Sequence, residues 1–284
     1  MKIVTLGEIM LRLSTPGYTR FVQTQTFDAT FGGGEANVAA ALANYGLESH
    51  FITKVPRHEI GQSAVNHLRR FGVRADGIVR GGDRLGIYFL ETGASQRPSK
   101  VIYDRAASSI SGMTPEEVDW DKVMTGTRWF HWTGITPALG AGAQACLRTA
   151  CVAAKAAGAT VSCDLNYRAK LWTPAEAQAV MKPLMDFVDV CIANEEDAEK
   201  SLGLRAGTTD VTEAHLDEAG YEEVARQLKA TYGFEAVAIT LRESFSASHN
   251  GWSALLLDNR DCTTPYRSTR YDIQIVDRVG GGDA

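Results

Sequence analysis

Residues 129–165 read WFHWTGITPALGAGAQACLRTACVAAKAAGATVSCDL. An aromatic run, Trp129-Phe130-His131-Trp132, opens the stretch as a strand. Residues 141–157 are alanine-rich and helix-forming, and Gly158 is placed to end that helix. Thr160–Leu165 is apolar again and reads as a buried strand. The same rhythm continues outward. Upstream, Lys2–Leu6 and Phe51–Val55 read as strands. Val38, Leu42 and Tyr45 fall at helical spacing before Gly46. A second helix spans 61–71, with Val65, Leu68 and Phe71 as inward positions before Gly72. Downstream, Val188–Ala193 and Ala236–Leu241 are strands around a helix at 219–231. Strands separated by helices predict an α/β fold: a doubly wound, mostly parallel sheet covered on both faces.

Two stretches, 9–31 and 84–105, break this rhythm with short alternating runs and no long helix. Leu85–Leu90 and Lys100–Tyr103 are expected to pair around the turn from Gly93 to Pro98. These stretches predict a small β-sheet lid projecting from a core made of residues 1–8, 32–83 and 106–284. Its outer face needs cover, from bound substrate and the core or from a second subunit.

Composition narrows the class. The chain has 284 residues, enough for one large domain with an appendage. A formal charge of −5 leaves no basic footprint, so nucleic acid is not an expected partner. The opening MKIVTLGEIMLRL runs straight into Glu8 and Arg12, so it reads as a strand and not a secretion signal. No apolar run is long enough to span a membrane. Cysteines stand at 146, 151, 163, 191 and 262, an odd and scattered set that argues against a disulfide framework or a zinc site. A cytoplasmic location is the expectation.

Polar clusters fall where such a sheet binds ligands. Val276-Asp277-Arg278-Val279-Gly280-Gly281-Gly282-Asp283-Ala284 offers successive N–H groups free of Cβ crowding, a nest for a phosphate. Asp283 beside it can accept a proton from an alcohol. Together they suggest phosphoryl transfer to a hydroxyl. Phe31-Gly32-Gly33-Gly34-Glu35-Ala36-Asn37 precedes a helix, but it has neither dinucleotide-binding nor P-loop spacing. It is either a tight turn or a place where Gly34 and Asn37 meet a polyhydroxy substrate. Tyr88, Tyr103 and Arg105 on the projecting strands are either a half-buried pair with a solvated arginine or a cleft wall that binds a carboxylate. Asp164, Asn166 and Arg168 follow a buried strand, and Arg168 suits either a carboxylate or a transferring phosphoryl group. Asn194-Glu195-Glu196-Asp197 suits a helix cap and first turn as well as it suits hydrated Mg²⁺. His131, among aromatics, reads as a core or rim histidine.

Taken together these segments resemble the ribokinase-like (PfkB) carbohydrate kinases, nearest to those acting on 2-keto-3-deoxygluconate. The likeness also rests on Gly86-Ile87-Tyr88, Val101-Ile102-Tyr103-Asp104-Arg105, Thr133–Leu139 and Asp164–Trp172, and it covers essentially the whole chain. The resemblance implies transfer of the ATP γ-phosphoryl group to the sugar acid's 6-hydroxyl. It implies Asp283 as base, and Gly280, Gly281 and Gly282 as the anion hole, with Arg168 near the reaction. It implies a sugar site of Gly34, Asn37, Tyr88, Tyr103, Arg105, Asn166 and Arg168, and nucleotide contacts at Asn194, Thr240, Arg242, Gly280 and Gly282. Mg²⁺ would be held by Asp197 and Glu196 through water, and the chain would form a homodimer or higher oligomer through the lid.

Departures from the family pattern set further expectations. Asp197 stands where the family commonly has glutamate, shortening one carboxylate arm. Arg242 replaces an expected glycine after Thr240-Leu241, so contacts to the nucleotide base should differ. Family members continue beyond the position of Ala284 through an anion-hole helix. The natural protein is therefore expected to be longer, and a chain ending at Ala284 to be weakly active. The competing expectations are a fructokinase or ribokinase, and a sugar-acid-binding protein without chemistry.

Overall fold

The computed structural model describes residues 1–205, 218–258 and 265–283. Cys262 and Ala284 lie outside the described residues, as does the side chain of Glu195. The main sheet runs in the order Tyr266–Arg267, His249–Asp258, Ala236–Ser244, Val190–Ala193, Thr160–Asp164, Thr127–Thr133, Lys2–Leu6, Glu48–Ile52, with Tyr271–Gln274 also pairing His249–Asp258. Neighbours are parallel from Glu48–Ile52 as far as Ala236–Ser244, and antiparallel beyond it.

Burial runs through successive residues of the inner strands, such as Ile3–Leu6 and Val161–Cys163, because both faces are covered. Phe51 packs with Ala36, Ala39, Val65 and Leu68 on one side. Its neighbour Ile52 packs with Phe130, Trp132 and Leu147 on the other. The expected elements lie close to their predicted places, with local differences. The second strand is Glu48–Ile52, and Lys54–Val55 leaves it to pair with Val79–Arg80. Helix Gly34–Asn44 buries its small residues Ala36 and Ala39 against the sheet, whereas Tyr45 caps it in solvent. Helix Glu59–Arg70 buries Val65 and Leu68, and Phe71 sits half-buried at its cap. Ala141–Ala156 ends before Gly158, whose φ of 72° is the left-handed turn a glycine accommodates. Cys146, Cys151, Cys163 and Cys191 are free and buried.

A separate four-stranded sheet is built from Asp28–Gly32, Met10–Ser14, Ile87–Glu91 and Lys100–Asp104, in that order. Its last two strands are antiparallel and put Tyr88 opposite Tyr103. The turn beyond them reaches across to the main sheet. The amide of Ala247 donates to the carbonyl of Ser95 at 2.9 Å, and the amide of Ser95 donates to Ser248 Oγ at 3.3 Å. Among the described residues no helix is long and apolar enough to cross a membrane.

Candidate active site

The chain runs from Lys2–Leu6 outward to Glu48–Ile52, then returns to Thr127–Thr133 on the other side of the first strand. That reversal opens a crevice at the carboxyl ends of Lys2–Leu6 and Thr127–Thr133, where open α/β sheets bind ligands. The N-terminus of helix Gly34–Asn44 stands there. Its approach is close: a Cβ on Gly33 would lie 1.8 Å from the carbonyl oxygen of Glu8, and one on Gly7 would lie 2.1 Å from the Glu35 carboxyl.

Glu35 fixes this helix end. It is buried, and its Oε1 accepts from the Thr133 amide (3.1 Å), Thr133 Oγ1 (2.8 Å) and Thr136 Oγ1 (2.6 Å). Burial pushes its carboxyl up to about 7, against the pull of those hydrogen bonds. Two residues on, Asn37 Nδ2 donates to Asp283 Oδ2 at 2.7 Å. Gly280 turns the terminal loop with φ 82°, and the Asp283 amide donates back to the Gly280 carbonyl at 3.1 Å. A Cβ on Gly280 would stand 2.8 Å from Asn37 Nδ2. Just upstream, Arg12 of the small sheet pairs with Asp277 at 2.7 Å. Arg278 Nη2 donates to the Ala247 carbonyl and to Asn250 Oδ1, both at 2.9 Å.

The strand end at Asp164 brings in the second polar group. Asn166 adopts φ 38° and donates from Nδ2 to Asp164 Oδ2 at 3.1 Å. Its own Oδ1 is buried with no hydrogen-bond partner among the described residues. Burial pushes the Asp164 carboxyl up to about 8, and the charges of Asp197 and Asp283 add to the rise against Arg168. Asn194 caps helix Glu195–Leu202 by accepting from the Asp197 amide at 2.8 Å. Asp197 Oδ1 in turn accepts from the Tyr167 amide at 2.9 Å. The cap that the sequence offered is therefore present. Arg168 is exposed and donates from Nη1 to the Tyr167 carbonyl at 2.9 Å.

The small sheet closes one side. Tyr88 is buried, which pushes its hydroxyl up to about 12, and its ring lies 6.0 Å from that of Tyr103. Tyr103 carries Arg105 and Lys170 over its ring, at 5.4 and 5.5 Å. Arg105 is not a solvated guanidinium: its Nη2 is paired with buried Glu8.

A single cleft of about 1870 Å³ runs past many of these groups. It is lined by Gly34, Asn37, Tyr88, Tyr103, Arg105, Asn166 and Arg168, and also by Asn194, Glu196, Asp197, Thr240 and Arg242. Gly280, Gly281, Gly282 and Asp283 lie along the same cleft. Arg242 is not on a loop, because the strand continues to Ser244 and pairs Arg242 with Trp252. His131 is apart, in the core. Its Nδ1 meets Ser162 Oγ at 2.8 Å, and burial lowers its imidazole to about 4. The sequence reading passed over Glu8, and over Lys170 as a wall of the site. Both touch the predicted residues only through the fold.

Asp164, Asp197 and Asp283 line one cleft, with Asp164 held high chiefly by burial and further by the charges of the other two, and such a set suits a cation that arrives with bound phosphates. Among the described residues no group of three or more His, Cys, Asp or Glu is placed to hold a metal ion unaided. The donors present fit Mg²⁺ keeping several waters.

Comparison with known proteins agrees with this geometry. The family described as pfkB family carbohydrate kinase matches residues 1–284. A crystal structure of 2-dehydro-3-deoxygluconokinase from Thermotoga maritima superposes with TM-score 0.94 at 54% identity, covering 100% of this chain and 83% of that one. The 2-dehydro-3-deoxygalactonokinase of Haloferax volcanii is 31% identical over 100% of this chain and 81% of its own length. A ribokinase II from E. coli, solved with ATP and Mg²⁺, shares the fold at TM-score 0.76 and 17% identity, over 99% of this chain and 82% of that one.

Proposed function

Because this chain belongs to the pfkB family of carbohydrate kinases, we propose that it transfers the γ-phosphoryl group of ATP to the 6-hydroxyl of 2-keto-3-deoxygluconate. The observation that carries this reading is the continuity of the cleft. Groups suited to a sugar acid, a carboxylate base and a glycine nest all line one space. The likeness to a 2-dehydro-3-deoxygluconokinase supports the choice of acceptor.

In this reading Asp283 takes the proton of the attacking hydroxyl. An aspartate is too weak a base to ionise an alcohol beforehand, so the proton moves late, as the new bond forms. Asn37 holds Oδ2 of Asp283 and leaves Oδ1 for the substrate. The glycine loop offers the N–H groups of Gly280 and Gly282 to the charge that grows on the transferring oxygens, those of Gly281 and Asp283 donating within the loop to the Arg278 and Gly280 carbonyls. Arg105 and Arg168 hold the sugar carboxylate, Tyr88, Tyr103, Asn166 and Gly34 place the hydroxyls, and Thr240, Arg242 and Asn194 serve the nucleotide. Bound Mg²⁺, held by Asp197 and Glu196 through water, would supply charge neutralisation on the phosphates. Pairing of two small sheets into a dimer would cover Phe27 and Ile102, which are 40% and 45% exposed.

The test is an ADP-release screen of keto-deoxy sugar acids against fructose and ribose. The expected result is a kcat/KM for 2-keto-3-deoxygluconate at least a hundredfold above either neutral sugar. Equal or greater turnover of a neutral sugar would replace the acceptor, and sugar-acid binding without ADP release would remove the chemistry.

A further inference from the structure

Among the ion pairs of the described residues, that between Glu8 and Arg105 stands out because both side chains are almost fully enclosed, at 3% and 10% exposure. It joins the loop after the first core strand to the end of the last small-sheet strand. Room for it is built in: a Cβ on Gly86 would stand 2.7 Å from Glu8 Oε1 and 3.1 Å from Arg105 Cβ. The pair is also incomplete. Glu8 Oε1 and Arg105 Nε are both buried with no hydrogen-bond partner among the described residues. Enclosed charges normally meet a full set of partners, and a pair this poorly satisfied is weak evidence of stabilisation. The guanidinium lies over the ring of Tyr103 and lines the cleft, so its plane is held from one face and one edge.

We propose that Glu8 is a positioning residue for substrate specificity: it holds the Arg105 guanidinium at the angle at which a ligand carboxylate meets its free N–H groups. The proposal rests on the reading of Arg105 as a carboxylate contact. Two oriented N–H groups match a carboxylate, whereas a guanidinium free to swing loses that fit. Glu8 itself touches no substrate. Its carboxylate sets the guanidinium from behind, so its loss acts on affinity for the acid and leaves the phosphoryl-transfer groups in place.

The test compares 2-keto-3-deoxygluconate with its primary carboxamide, by ADP release and by calorimetric binding without nucleotide. Variants are Glu8→Gln, Glu8→Asp and Arg105→Ala. Glu8→Gln is expected to raise KM and Kd for the acid at least tenfold, with kcat changed less than threefold. The preference for acid over amide should shrink by a similar factor, and Glu8→Asp should restore part of it. Should Glu8→Gln not fold, Glu8→Asp alone carries the test through an acid-selective rise of about threefold. If Arg105→Ala loses the acid selectively while folded Glu8 variants keep the wild-type preference, the role of Glu8 is overturned and that of Arg105 stands. If Arg105→Ala weakens acid and amide equally, the reading of Arg105 falls and the role of Glu8 falls with it.

Discussion

Asn37 and Asp283, 246 positions apart in sequence, meet at 2.7 Å through one amide–carboxylate hydrogen bond. The bond ties the first helix of the core to the terminal glycine loop. It also makes one oxygen of Asp283 unequal to the other.

Asp283→Asn removes the proton acceptor and keeps the shape. A positioned base contributes about 10²- to 10⁴-fold, so kcat should fall by about that factor. Sugar-acid Kd, measured by calorimetry, should move less than threefold. Turnover within tenfold of wild type would take the base role from Asp283.

Gly33 and Gly34 should respond differently to alanine. At Gly33 a Cβ lies 1.8 Å from the Glu8 carbonyl oxygen, a backbone clash that only a shift can relieve. At Gly34 it meets Thr133 Cγ2 at 3.6 Å and Asp283 Oδ1 at 3.8 Å, ordinary contacts. Gly33→Ala is expected to lower stability by about 2 kcal/mol or more in urea melts. Gly34→Ala should keep wild-type stability but raise the sugar KM, because its methyl enters the cleft. Identical melts for both variants would contradict this geometry.

Gly280→Ala places a side chain at φ 82° and against Asn37. Left-handed backbone costs a non-glycine residue about 1–2 kcal/mol. The expected outcome is a fall in kcat of at least tenfold with the global melting midpoint shifted only slightly, since the loop is peripheral to the core. A wild-type kcat would show that the loop conformation is not needed.

Stability against pH should carry two opposed slopes. Glu35 is raised from 4.5 to about 7, so its contribution is complete below pH 4.5 and is lost as pH rises through 7. His131 is lowered from 6.5 to about 4, so its contribution is complete above pH 6.5 and is lost as pH falls through 4. Between pH 4.5 and 6.5 these two largely cancel, and Asp164, raised from 3.8 to about 8, adds to the sense of Glu35 in wild type and variant alike. Glu35→Gln removes the Glu35 slope alone. Its stability should drop from pH 6.5 toward 4.5 by up to about 1.4 kcal/mol per pH unit relative to wild type. Parallel urea-midpoint profiles for the two proteins would refute the assignment.

How much of this was legible before folding depended on range. Gly280 to Asp283 could be read as a candidate anion site because the signal is contiguous, and the structure puts them along the cleft. The parallel sheet was legible because its strands are apolar on both faces, as Phe51 and Ile52 show by packing in opposite directions. Glu8 and Glu35 were not, because their partners Arg105 and Thr133 lie 97 and 98 residues away. Nothing in TLGEIM or GGGEAN marks those glutamates as enclosed. The strand through Arg242 to Ser244 was missed for a related reason. Its polar sequence looks like a loop until Trp252 and Gly251 pair with it. Arg105 was found, but its partner was hidden, and with it the difference between a solvated cation and one already held.

The bond from the Ala247 amide to the Ser95 carbonyl ties the small sheet's turn to the main sheet using main-chain atoms alone. Short of proline at 247, which has no N–H, a change of side chain at either position leaves its donor and acceptor in place, and Arg278 grips the Ala247 carbonyl from the loop that leads to Gly280. The bond between Ala247 and Ser95 adds a main-chain link to the side-chain ones made by Ser248 and by Arg12 with Asp277. Deuterium uptake at that single amide becomes a clock for how often the enclosure parts.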